Sequence, residues 1–208
     1  RIYYPFTREP LRDGTDPSWL LLGPDEGLDP DAQIEPAAAA QVRAIVRDGW
    51  TRVLGPALAA VRSAPDVASR LDAIASALDA LQGFRILCSH RGGPRGVRAL
   101  NRLVRAALGD LLPGTGDWYE GRPVLVLEND YRLGLFNGDV GLVLRDGPGP
   151  DGPLLAWFPG TDGPPRAFPQ GRLPALDTVF AMTIHKSQGS QFGRVAILLP
   201  PADSAFVT

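Results

Sequence analysis

A chain of 208 residues with 44% hydrophobic residues, both charge signs interspersed and a net charge of -2 has the composition of a soluble globular domain, or of one domain carrying an insert. That balance excludes a binder governed by an overall basic field, so any contact with nucleic acid has to come from local patches. One cysteine, Cys88, excludes an intrachain disulfide; with no cysteine and histidine group at metal spacing, no apolar run near the ~20 residues that span a bilayer and no signal-peptide core at Arg1 to Pro5, a cytoplasmic chain with no membrane contact is expected.

Residues 1–35 are punctuated by proline and glycine, and only Trp19 to Leu22 predict a short strand there. From Pro36 to Ser63 the aliphatic spacing of Val42, Ile45, Val46, Trp50, Val53 and Leu54 predicts a helix. Trp50 could stack on a ligand from an exposed face, but its place in this stripe favours the core. A second helix is predicted over Pro65 to Leu81, with Val67, Leu71, Ile74, Leu78 and Leu81 on one face. Asp66 falls in its first turn, where a carboxylate suits the positive end of the helix dipole.

Phe84 to Ser89 reads as a buried strand, His90 to Gly96 as a glycine-rich loop and Val97 to Leu108 as a helix. Strand, turn and helix make half of a βαβ unit and predict a parallel sheet. Arg91, Arg95 and Arg98 beside the helix start suit an anion, while the glycines suit a tight turn whatever it binds. The pattern Gly-x-x-x-x-Gly-Lys-Ser/Thr is not found in these residues, so no P-loop is expected of them.

Between Gly114 and Leu173 the strands Pro123 to Leu127, Val140 to Leu144 and Leu154 to Phe158 alternate with turn formers at Asn137 to Asp139, Asp146 to Gly149 and Gly160 to Gly163. Their spacing predicts a small antiparallel barrel set into an α/β domain. Two further apolar runs, Leu176 to Phe180 and Val195 to Leu199, predict buried strands flanking the polar segment Ala181 to Phe192. Thr183 and Ser187 bring hydroxyls, His185 and Lys186 donors or charge, Gln188 an amide and Gly189 close backbone approach, a set suited to phosphates and sugars at the carboxyl ends of strands.

Thr183-x-His185-Lys186-Ser187-Gln188-Gly189-Ser190-x-Phe192 resembles motif V of superfamily 1 DNA helicases, in the form used by the RecD family. Gly121-Arg122-Pro123-Val124-Leu125-Val126, continuing through Asn129-Asp130-Tyr131 and Leu133-Gly134-Leu135-Phe136-Asn137-Gly138-Asp139-Val140-Gly141, is similar to a signature of that family. Phe84-Arg85-Ile86-Leu87-Cys88, with Gly93-Pro94-x-Gly96-Val97 and Leu100-Asn101, resembles the segment upstream of it. The likeness covers roughly residues 66–208.

The resemblance implies a RecA-like parallel-sheet helicase domain, the second of two, built from residues 1–113 and 174–208, with an SH3-like β-barrel at 114–173. It implies single-stranded DNA contact by Thr183, His185, Asn129 and Tyr131, and coupling to nucleotide by Gln188, Gly189 and Gln191. Gln191 stands where the family carries glutamate, and an uncharged amide implies a weaker ribose contact. For Asn129, Asp130 and Tyr131 a plain turn role competes with the DNA role. The cofactors implied are ATP and Mg2+ in a longer chain, with no catalytic residue and no ATPase activity in these residues alone. The activity implied is 5′ to 3′ translocation in repair and recombination, as the alpha chain of exodeoxyribonuclease V beside the beta and gamma chains. A stand-alone helicase of the same type and a non-catalytic binding module are the other readings.

Overall fold

Helix α1 (Pro36–Ser63) follows from the aliphatic stripe, and it buries Val42, Val46, Trp50, Leu54, Leu58 and Val61 along one face. The computed structural model describes residues 36–198 apart from Pro94, Pro113, Thr115, 148–150 and Asp162. The predicted strand at Trp19 to Leu22, Leu199 and part of the Asp146 to Gly149 turn lie outside the described residues. Trp50 is fully buried, edge-on to Phe84 at 5.8 Å and to Phe180 at 5.2 Å, which settles it as core.

Helix α2 (Val67–Ala80) begins at Asp66, which caps the helix instead of lying in its first turn. Its carboxylate accepts the Ser69 N–H at 2.8 Å and the Ser69 hydroxyl at 3.0 Å. These bonds hold the carboxyl below the usual carboxylate range. Ile74, Leu78 and Leu81 face the core as expected, but Val67 is 76% exposed. The reason is local: residues 65–68 form the solvent-facing end of the α1–α2 hairpin, so a side chain there has no core to enter.

The strand β1 (Arg85–Cys88) is buried along its whole length, and α3 (Val97–Ala107) follows it. An antiparallel sheet comes next, made of β2 (Pro123–Val126), β3 (Val140–Arg145), β4 (Leu154–Phe158), β5 (Arg166–Pro169) and β6 (Leu176–Thr178). Its spatial order is β5-β4-β3-β2-β6. The chain then returns to β1, which lies between β7 (Ala181–Thr183) and β8 (Val195–Leu198) in a parallel sheet. The fold is thus mixed α/β with the expected parallel sheet. Sequence periodicity missed β5, whose four residues end in Pro169 and carry no alternation.

The run Leu176 to Phe180 is not one strand. β6 ends at Thr178 in the antiparallel sheet, and β7 starts three residues later in the parallel one. Nor is β8 buried, since Val195 is 46% exposed and the rest of the strand half-buried at the sheet edge. One apolar cluster joins the three helices and the parallel sheet to Leu142, Leu144 and Trp157 of the antiparallel sheet. A second cluster lies within the antiparallel sheet, around Val124, Val143 and Phe158. The two sheets meet where Leu87, Leu125, Val179 and Met182 pack together.

Asn101, on the buried face of α3, holds the step between the sheets. Its amide donates to the Thr178 carbonyl at 2.8 Å and accepts the Ala181 N–H at 2.8 Å. Those backbone groups are shielded from water, so deleting the amide strands them. Asn101→Ala is therefore expected to destabilise the fold by about 1–3 kcal/mol. Urea unfolding should show a lowered midpoint with an unchanged m value.

Candidate nucleic-acid interface

The segment after β7 is a short 3-10 turn, His185–Ser187, and its shape comes from local bonds. Thr183 Oγ1 accepts the Lys186 N–H at 3.3 Å, the Ser187 hydroxyl donates to the Ile184 carbonyl at 2.8 Å, and Ile184 N–H donates to the Cys88 carbonyl at 2.9 Å. Gly189 follows with φ of 84° and open space where a side chain would stand. His185, Lys186, Gln188, Gly189 and Gln191 are all exposed, and Thr183 is half-buried.

Facing this turn is the loop between β2 and β3. Asp130 closes it by accepting the Arg132 and Leu133 N–H groups at 2.9 and 3.1 Å, while its own backbone pairs with Leu135. Asn129 Oδ1 accepts the Asn137 N–H at 2.8 Å, and Asp139 accepts the Phe136 N–H at 2.8 Å. Arg166 of β5 donates to the carbonyls of Leu133 and Gly134 at 2.7 and 3.0 Å. The result is a stiff rim carrying two rings. Tyr131 is 79% and Phe136 46% exposed, edge to face at 5.9 Å.

Turn and rim share an open cleft of about 830 Å3, lined among others by His185, Lys186, Gln188, Phe136, Asn137 and Arg166. His185 and Gln188 are thereby brought together with the loop of the second motif. Thr183 is not on that wall. It lines a much smaller cavity of about 20 Å3 with Arg91 and Asp177, and Lys186 borders both. Asn129 binds its own loop and donates to the Tyr131 hydroxyl at 3.4 Å, and neither it nor Tyr131 lines the cleft. Gly189 and Gln191 are also absent from its wall.

Arg85 borders the cleft and is fully buried. Its guanidinium donates to the carbonyls of Leu81 at 3.1 Å and of Val179, and lies over Trp50 and Phe192 at 5.4 and 5.1 Å. Burial lowers its pKa to about 10. Sequence reasoning gave Arg85 and Arg166 no part in the site. A lone arginine in an apolar or proline-rich run carries no pattern that marks it.

The glycine loop before α3 is more occupied than its composition suggests. Val97 N–H donates to the His90 carbonyl at 3.0 Å and Arg98 N–H to the Arg91 carbonyl at 3.3 Å, so two donors at the helix start are already spent. A side chain at Gly96 would meet the Gly92 carbonyl oxygen at 2.1 Å, which supports the tight-turn reading of these glycines. Among the described residues no group of three or more His, Cys, Asp or Glu side chains is placed to hold a metal, and no helix is long and apolar enough to cross a membrane.

No family model matches the chain. The RecBCD enzyme subunit RecD of Mycolicibacterium smegmatis is 48% identical to it over 134 residues, 64% of this chain and 23% of that protein. The subunit of the same name from Mycobacterium tuberculosis is 47% identical over 143 residues, 68% of this chain and 24% of that protein. An ATP-dependent RecD2 DNA helicase of Deinococcus radiodurans is 30% identical over 57% of this chain and 16% of its own length. The chain spans about a quarter of the RecD subunits it matches. Among solved structures, unliganded Pif1 from Bacteroides is 20% identical, with a TM-score of 0.33, over 56% of this chain and 46% of that one. The resemblance drawn from the three motifs is thus borne out by RecD subunits at 47–48% identity.

Cys88 lies under this site, its thiol donating to the His90 carbonyl at 3.3 Å. Burial pushes the thiol up to about 11. The folded state therefore holds its proton where the unfolded chain, near 9.0, gives it up, so this group costs stability as pH rises from about 9 to 11. Urea midpoints measured across that range should fall more steeply for the wild type than for Cys88→Ala.

Proposed function

We propose that this chain is the C-terminal part of a RecD-type, ATP-dependent 5′ to 3′ DNA helicase, the alpha subunit of exodeoxyribonuclease V, acting with beta and gamma chains in double-strand break repair and recombination. In this reading residues 1–113 and 174–208 form the second RecA-like domain and 114–173 an SH3-like insert, whose sheet also takes in β6 at Leu176–Thr178. The observation that carries it is the meeting of the His185 turn and the Phe136 to Asp139 loop across one open cleft. Those are the two stretches that most resemble the RecD family, and they are distant in sequence.

The cleft suits a single DNA strand chemically. Lys186 and His185 supply donors for phosphates, Gln188 and Asn137 supply amides for sugar or base edges, and Phe136 offers a ring face or edge for stacking. Such a grip is largely independent of base sequence. Thr183 acts in this reading by fixing the turn through its bond to Lys186, and Asn129 by fixing the opposite rim.

The sequence carries no P-loop pattern, and among the described residues no carboxylate group is placed to hold the metal, so in this reading ATP with Mg2+ needs a longer chain. The nucleotide belongs in this reading between this domain and a P-loop domain. Gln188, on the cleft wall, would couple the strand to the nucleotide side together with Gly189 and Gln191. Closure of the two domains on the strand and their release would move the chain along DNA.

The test is single-stranded DNA binding across a salt series. Binding should weaken with salt, and His185→Ala and Thr183→Ala should each lower affinity several-fold. Phe136→Ala is expected to lose about 1–3 kcal/mol, the usual range for one base stack. Binding indifferent to all three substitutions would move the strand away from the cleft.

A further inference from the structure

The outer face of α3 is charged in a way the cleft does not use. Residues 89–109 hold five arginines and no carboxylate, in a chain whose net charge is -2. The helix buries Val97, Leu100, Asn101 and Val104 and turns Arg98 and Arg102 to solvent. Arg105 is spent elsewhere: its guanidinium lies 3.7 Å from the Tyr119 ring and bonds the carbonyls of Leu112 and Gly114. Arg98 and Arg102 have no ion pair among the described residues. Four positions apart, they stand one above the other on the helix surface.

This stripe joins the cleft. Lys186 lines both the cleft and the small cavity beyond it, and Arg91 lines that second cavity. Arg98 follows directly, its backbone bonded to the Arg91 carbonyl. Among the described residues the Arg91 side chain has an exposed 3.6 Å pair with Asp177, which a competing phosphate can replace at little cost. Lys186, Arg91, Arg98 and Arg102 therefore form a cationic path leading from the cleft along α3.

We propose that a single DNA strand leaving the cleft continues over Arg91, Arg98 and Arg102, held by its phosphates alone. The inference rests on the cleft reading and extends it. A nucleic-acid strand fits better than an acidic protein face, because the path adjoins the cleft through Lys186 and is built from arginines with no apolar residue exposed between Arg98 and Arg102.

The experiment compares the full chain with R98E/R102E and R98K/R102K, using a short oligonucleotide of about 6 bases and one of about 20, across a salt series. For the wild type, the longer strand should bind more tightly and with the steeper salt slope. R98E/R102E should erase that advantage, lowering the slope by about 1.4 for two phosphates at roughly 0.7 each, and leave the short strand bound as before. R98K/R102K should keep the slope. A long-strand advantage that survives R98E/R102E overturns the path, as does competition by polyglutamate equal to that by DNA, which would assign the stripe to an acidic protein. If His185→Ala leaves short-strand binding intact while R98E/R102E abolishes the long-strand advantage, the cleft reading fails and the arginine path stands.

Discussion

The amide of Asn101 is the point on which the arrangement turns. The chain leaves an antiparallel sheet at Thr178 and enters a parallel one at Ala181, and backbone groups at such a step have no ladder to satisfy them. One side chain from α3 serves both ends, accepting from Ala181 and donating to Thr178. Arg122 adds a bond to the Thr178 hydroxyl at 2.9 Å, and Val179 N–H reaches the Pro123 carbonyl at 3.0 Å. The start of β7 is thereby fixed, and with it the exposed turn that begins two residues after β7 ends.

Two further fixtures keep the antiparallel sheet in place against the helices. Glu120, almost fully buried, pairs with Arg62 at the end of α1 at 2.9 Å and with Arg145 at the end of β3 at 3.8 Å. Arg70 of α2 bonds the Arg145 carbonyl, and also the Val61 carbonyl at 2.7 Å. Leu142, Leu144 and Trp157 close the contact by sharing the helices' apolar cluster. A charge so deeply placed is costly unless paired, so these bonds secure position more than they add stability. The wall of the cleft contributed by the β2–β3 loop depends on that position.

Much of this was legible in the sequence because it rests on local rules. The apolar stripes of α1 and α2 locate Trp50, Ile74 and Leu78 in the core, and the strand, glycine turn and helix from Phe84 to Leu108 announce a parallel strand. What stayed hidden depends on contacts between distant residues. Nothing in Leu176 to Phe180 tells that its first half pairs with Val124 to Val126 and that the chain then changes sheets, since no glycine or proline marks the change. Val67 matched the helical period, but periodicity does not show where the core ends. For the site, residue types marked out the His185 turn and the Asn129 to Gly141 loop. That Thr183 lines a different cavity from His185 depends on strand direction: residues two apart at a strand end need not share a pocket once the chain turns.

The Asn129 to Gly141 loop divides its residues between turn formers and exposed rings. Asn129, Asp130 and Asp139 each spend side-chain oxygens on backbone N–H groups of the same loop, so their acceptors are engaged in shaping it. The rings of Tyr131 and Phe136 are what such shaping presents, since exposed aromatics lose less entropy on binding when their backbone is already fixed. Turn formers and exposed rings are thus successive layers of one loop. Replacing a turn former should displace both rings and replacing a ring should leave the turn intact, so the two kinds of residue are separable by their effect on fold stability.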